Sequence, residues 1–126
     1  MSEDFTITVI HGDHTMQAIN WQPMGAIDYI LDIAAGGRFT FAGLIYEYPG
    51  HRPDNVAGLV KNGNGTAVVT GDYGPRYSAN PRDNRAYRGE TVINKGVLLV
   101  NNATGSGISP RSAVQVKDGG TLAGHG

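Results

Sequence analysis

The feature that most constrains this chain is one pattern repeated five times: a short strand, a glycine turn and a second short strand. Within the strands apolar residues fall at every second position, as in Thr6-Ile7-Thr8-Val9. A period of two residues turns one face of a strand inward and the other outward. The predicted strand pairs are Phe5–Val9 with His14–Ile19, Tyr29–Ile33 with Arg38–Gly43, Gly58–Lys61 with Thr66–Gly71, Glu90–Ile93 with Val97–Asn102, and Ala113–Val116 with Thr121–Gly124.

The spacing of the turns decides between two all-β architectures. Glycine supplies the positive-φ conformations that tight turns need. The turns are expected at Gly12, Gly36, Gly65, Gly96 and Gly119, which are 24, 29, 31 and 23 residues apart. An antiparallel sandwich would join neighbouring strands by hairpin loops of about two to five residues. Here each glycine turn alternates with a much longer connector, which favours repeated coils.

The repeat therefore predicts a single domain over residues 1–126, folded as a parallel β-helix (a β-solenoid) of about five coils. Insertions in repeat folds collect in loops on one side, so the connectors of unequal length are expected there. One apolar side chain from each coil should stack inside the solenoid. The expected inward stack is Ile7, Ile33, Val60, Val92 and Val114.

Two stretches of the chain carry a family resemblance. The segment 58–66, Gly-Leu-Val-Lys-Asn-Gly-Asn-Gly-Thr, is followed by 84–100, which contains Asn-Arg-Ala-Tyr-Arg-Gly and then Ile-Asn-Lys-Gly-Val. Together they resemble the autotransporter-associated β-strand repeat. The segments 34–43 and 101–124 are similar to the coils that precede and follow that repeat. The resemblance implies a right-handed parallel β-helix in a secreted or surface-displayed bacterial protein, without enzymatic activity.

The chain departs from that family pattern in two respects. An insertion, Asp72–Asp83, separates the strand after the lysine–glycine turn from the Asn-x-Tyr segment. Family members also have many coils and a C-terminal translocator barrel, whereas this chain has five units and no barrel. An extracellular or bacterial cell-surface location is expected, although Met1-Ser2-Glu3-Asp4 does not begin a visible signal peptide.

Charge and composition narrow the possible partners. The formal net charge is −1, whereas nucleic-acid-binding proteins usually carry a basic excess. No window of about 18 apolar residues is present, so no membrane span is expected. The chain contains no cysteine, and a solenoid does not need disulfides because each coil is held by its neighbours.

Catalytic and metal sites are not expected. The sequence His11-Gly12-Asp13-His14 offers two imidazoles and a carboxylate, but a structural zinc site requires four ligands. It is therefore interpreted as a surface turn, and no cofactor or metal is predicted. A polysaccharide lyase, the third possibility for a β-helix, would need clustered carboxylates beside a base. The acidic residues are instead scattered, and Asp32 could approach Glu90 or Gln115 only if their coils were neighbours.

Two connectors are rich in tyrosine and arginine, the residue types that often anchor interfaces. They suggest an adhesion module that holds a polysaccharide or a protein. Alternatively, the tyrosines pack on the flank of the solenoid and the arginines pair with Asp72 and Asp83. The candidate partner-binding residues are Tyr46, Tyr48, Arg52, Tyr73, Arg76, Tyr77, Arg82, Arg85, Tyr87 and Arg88.

The two ends of the repeat lead to the main functional hypothesis. Strand character begins at Phe5 and continues to Leu122, with no capping helix or charged terminal coil. Terminal repeats normally need a polar cap, and an uncovered strand can pair with another chain. We therefore expect a homo-oligomer that stacks end to end as a structural fibre, unless the chain is a piece of a longer protein. The assembly residues would be Phe5, Ile7, Val9, Val114, Val116 and Leu122.

Overall fold

The computed structural model describes residues 5–16, 27–45, 57–71, 87, 89–101, 108–109 and 112–125. Within these ranges the secondary structure is all β, and no helix is long and apolar enough to cross a membrane. All ten predicted strands are confirmed, and their bounds lie within three residues of those expected. The strands are β1 Phe5–Val9, β2 Gly12–Met16, β3 Ile27–Ile33, β4 Gly37–Phe41, β5 Ala57–Asn62, β6 Thr66–Val69, β7 Thr91–Ile93, β8 Gly96–Asn101, β9 Val114–Val116 and β10 Gly120–His125.

The strands form two five-stranded sheets in which every pairing is parallel. One sheet contains the first strand of each unit in the order β1-β3-β5-β7-β9, and the other contains the second strands in the order β2-β4-β6-β8-β10. Each glycine turn therefore carries the chain from one sheet to the other. The turns are corners between sheets, so the antiparallel sandwich does not describe these strands.

The core lies between the two sheets. It is formed by the buried side chains of both, including Leu31 and Ile93 from the first sheet and Phe41 and Leu98 from the second. Burial of a large aliphatic or aromatic side chain contributes roughly 1.5–3 kcal/mol before conformational entropy is subtracted. The most buried positions belong to the three middle units, which have a neighbouring strand on both sides.

The predicted inward stack is wrong in its register. The strand pairings align Ile7, Leu31, Lys61, Ile93 and Val116 in one column, and Leu31, Lys61 and Ile93 are fully buried. Val60 and Val92 instead share a column with Ile30 on the other face and are half-buried. The apolar alternation misleads in the third unit because its inward residue is a lysine, which the hydrophobic pattern assigns to the outside.

The turn glycines are confirmed except in the third unit. Gly12, Gly36, Gly96 and Gly119 adopt positive φ, but in the third turn the residue with positive φ is Gly63, at 77°, and not Gly65. Gly65 is required for a different reason. A Cβ at this position would overlap the backbone oxygen of Ala34 in the preceding unit.

Candidate functional site

The first exposed edge of the protein is formed by β1 and β2. Among the described strands each of them pairs on one side only, β1 with β3 and β2 with β4. Ile10, in the turn that joins them, is 73% exposed, and Ile7 is half-buried against the core. An open depression lies at this edge, lined by Ile7, Thr8, Val9, Ile10, His11, His14 and Phe39.

The second exposed edge is formed by β9 and β10, at the other end of both sheets. Val114, Val116 and Leu122 are 40%, 49% and 41% exposed. With Ile10 they are the large hydrophobic side chains that the described part of the chain exposes. Among the described residues, apolar exposure is thus concentrated at the strands that pair on one side only.

The two edges are the opposite ends of the same side-chain columns. Val116 ends the column that begins at Ile7, and Val114 ends the column that begins at Phe5. In the second sheet Leu122 ends the column that begins at His14. Placing β9 on β1 and β10 on β2 would continue these columns in the register already used inside the molecule.

The turns do not prevent such a continuation. From one unit to the next, the number of turn residues between paired strand positions differs by one or two throughout the molecule. In the first unit, for example, two residues separate Val9 from Gly12. Three residues, including Gly36, separate their partners Ile33 and Gly37 in the second unit. If the fifth unit of one copy lay against the first unit of another, the lengths of their two turns would also differ by one residue.

Lys61 joins the third and fourth units from inside. Its side chain is fully buried, and Nζ donates hydrogen bonds to the backbone oxygens of Asn62 at 2.7 Å, Gly63 at 2.8 Å and Lys95 at 3.1 Å. An ammonium group has three donors, so all of them are satisfied. Burial lowers the pKa of Lys61 to about 8, an effect opposed by the Asp32 carboxylate. At pH 7 the group is therefore a buried cation held by carbonyls.

Next to the buried Lys61, polar side chains form a ladder on the outer face of the first sheet. Asp32 is paired in register with Asn62, and the side-chain amide of Asn94 donates to the side-chain oxygen of Asn62 at 2.8 Å. Glu90 accepts a hydrogen bond from Gln115, which belongs to the next unit. Asp32 is two strands away from Glu90 in the sheet, so these carboxylates do not form the cluster that a lyase would need.

Tyr87 has a different role from the one the sequence suggested. Its side chain is fully buried, and its hydroxyl lies 2.7 Å from Thr91 Oγ1. Thr91 is in turn 2.8 Å from Ser112 Oγ, and Ser109 Oγ donates to the Tyr87 backbone oxygen at 2.6 Å. Tyr87 therefore secures the connectors to the core and is not available to a partner.

The other predicted loop residues lie outside the described parts of the chain. The hypothesis of a polysaccharide- or protein-binding loop consequently stays a prediction for nine positions. They are Tyr46, Tyr48, Arg52, Tyr73, Arg76, Tyr77, Arg82, Arg85 and Arg88.

Both histidines are exposed, as the sequence suggested, but only His11 lies in the turn, because Gly12, Asp13 and His14 belong to β2. His14 Nε2 donates to the backbone oxygen of His11 at 3.0 Å, and Asp13 lies between them. The described residues contain no group of three side chains suited to hold a metal ion. What distinguishes this turn is its position on the exposed β1–β2 edge.

Stability should depend on pH in two opposite ways. The folded-state pKa of Lys61 is lowered, so the unfolded chain binds more protons between about pH 8 and 10. The free energy of unfolding should rise by about 2 kcal/mol over this interval. Burial raises the pKa of Tyr29 and Tyr87 to about 12, so stability should fall again above pH 10. Urea denaturation at pH values between 7 and 11 measures both the rise and the fall. A free energy of unfolding that stays constant from pH 8 to 10 would contradict the role of Lys61.

Comparison of the chain with protein-family models, with curated proteins and with solved structures gives no match. The similarity to the autotransporter-associated repeat consequently rests on the sequence motifs.

Proposed function

We propose that the chain forms a right-handed parallel β-helix of about five coils, whose copies stack end to end as a non-catalytic structural protein outside the cell. The observation that carries the proposal is the correspondence between the two exposed edges. Each ends the same side-chain columns, and each exposes apolar residues where the next strand would lie.

Physical chemistry supports this kind of contact. An edge strand presents unpaired N–H and C=O groups, and a second strand in register satisfies them. The same contact would bury Val116 of one copy over Ile7 of the next and place Val114 in register with position 5 of β1. Because different surfaces meet, the contact is heterologous. It continues the strand stack along one axis and so does not close into a ring, which produces a filament. With strands about 4.8 Å apart, each copy would extend it by about 24 Å.

The extracellular location is part of the same proposal. It is supported by the motifs at 58–66 and 84–100, which resemble a repeat of secreted and surface-displayed bacterial proteins. A stack that needs no disulfide would also suit a chain without cysteine.

Val116→Asp tests the proposal because it places a charge in the column that would continue into Ile7 of the next copy. Unlike the ammonium of Lys61 in the same column, a carboxylate cannot donate to backbone oxygens of the turns. The uncompensated charge should abolish assembly, while the monomer folds because Val116 is 49% exposed. Sedimentation velocity at micromolar concentration should show large species for the wild type and monomer for the variant. Asn64→Asp, which makes the same charge change at an exposed turn of the third unit, should assemble like the wild type.

Two results would count against this proposal. One is a wild-type chain that stays monomeric at every concentration tested. The other is equal loss of assembly in Val116→Asp and Asn64→Asp, since that would indicate a general effect of charge and not a contact at the β9 edge.

A further inference from the structure

His14 occupies an unusual place in the second sheet. The strand pairings put it in the column of Phe39, Ala67, Leu98 and Leu122, whose other members are all apolar. Its side chain is nevertheless exposed, because β2 is the edge strand and nothing in the described chain covers it. The imidazole lines the open depression beside Phe39 and Ile10.

The proposed stacking would cover this site with a defined residue. Leu122 of a second copy would extend the column onto His14, and Gly124 of that copy would reach Met16. We infer that the junction encloses the imidazole of His14 between Phe39 and the second copy's Leu122, so that acid opens the junction. This inference rests on the proposed end-to-end assembly.

The hydrogen bond at His14 indicates which proton matters. A carbonyl oxygen can only accept, so Nε2 carries the proton that it donates to the His11 backbone oxygen at 3.0 Å. In the neutral ring Nδ1 is then the unprotonated nitrogen. A neutral ring between Phe39 and a leucine is tolerated, whereas a cation in that position loses its hydration. Histidine is the side chain whose charge ordinarily changes between pH 5 and 8.

The neighbouring charged groups do not offer a matched partner for a protonated ring. Asp13 and Arg38 are paired in register on the opposite face of the sheet, where adjacent residues point away from His14. The exposed turn of the second copy contributes Lys117 and Asp118, which carry opposite charges. His11, in the turn that precedes β2, is a second imidazole and not an acidic partner. A charged imidazole would therefore have no compensating partner in the junction, which favours dissociation of the two copies.

Sedimentation equilibrium at pH 7.5 and pH 5.5 tests the inference on three proteins. The wild-type association constant should fall at least tenfold at pH 5.5. His14→Leu should assemble equally at both pH values, because its side chain completes the apolar column without titrating. His11→Gln, which removes the imidazole of the turn before β2, should keep the loss seen in the wild type.

The possible results separate the inference from the function on which it rests. Wild-type assembly that is equal or stronger at pH 5.5 would overturn the acid release and leave the stacking intact. A tenfold loss in His14→Leu would show that the sensitivity lies elsewhere and would also overturn it. Absence of assembly at both pH values in all three proteins would overturn the stacking itself.

Discussion

Replacing Lys61 by methionine is expected to lower the free energy of unfolding by about 3 kcal/mol. Methionine can fill much of the space of the lysine chain, but it cannot donate to the three backbone oxygens that Nζ now contacts. These carbonyls would lose their partner inside the stack of turns. Urea denaturation followed by circular dichroism at pH 7 measures the difference.

Lys95→Met is the matched control for this change. Lys95 is exposed and contributes its backbone oxygen to Lys61, which the substitution leaves in place. Its stability should stay within about 0.5 kcal/mol of the wild type, as for most surface substitutions. If both variants lost the same stability, or if Lys61→Met were as stable as the wild type, the buried ammonium would not hold the third and fourth units together. Lys61→Met should also lack the rise in stability between pH 8 and 10.

Gly96→Ala should be similarly damaging, with a loss of about 3 kcal/mol or more from backbone strain and overpacking together. Gly96 has φ of 68°, a conformation that alanine adopts only with strain. A Cβ there would also overlap the backbone oxygens of Gly63 and Gly65 in the preceding turn. Backbone atoms cannot rotate away as a side chain does, so the fourth turn would have to separate from the third.

Gly119→Ala separates these two contributions. Gly119 has φ of 87°, but a Cβ at this position would meet only the Asn94 backbone oxygen, at an ordinary distance of 3.7 Å. This variant should lose about 1–2 kcal/mol, the cost of the left-handed conformation alone. Equal losses in Gly96→Ala and Gly119→Ala, measured by urea denaturation, would show that the close approach between turns contributes nothing.

The strands could be predicted because their signal is local. Alternating apolar residues and turn glycines determine each strand-turn-strand unit independently of the rest, and all ten strands were found this way. The register between units is not local. It depends on how many residues each turn contains, and so the alternation in Gly58–Lys61 was assigned to the wrong face.

Lys61 and Tyr87 illustrate the remaining difficulty. A lysine at an inward position is stabilised by carbonyls from its own turn and the next one, and no sequence pattern marks those oxygens. Tyr87 lies at the end of an arginine-rich connector and so resembled a surface residue. Its burial depends on Thr91 and on Ser112 from the following unit. A signal was available for Tyr87, since Thr91 lies four residues away at the start of the next strand.

The candidate assembly surface was predicted in outline. Strand character up to both ends of the repeat predicted exposed edges. Val114, Val116 and Leu122 are exposed, whereas Val9, also predicted as an assembly residue, is buried in the core. The complementarity of the edges could not be inferred from sequence, because it follows from the columns that run through all five units. The special position of His14 emerged only when its column with Phe39 and Leu122 was known.

Negative-stain electron microscopy of the purified wild-type chain at pH 7.5 tests end-to-end stacking most directly. Unbranched fibres of uniform width and variable length are predicted, because a heterologous contact that continues the strand stack along one axis does not close into a ring. They should disappear in Val116→Asp and persist in Asn64→Asp. A field of separate particles from micromolar to near-millimolar concentration would contradict the account.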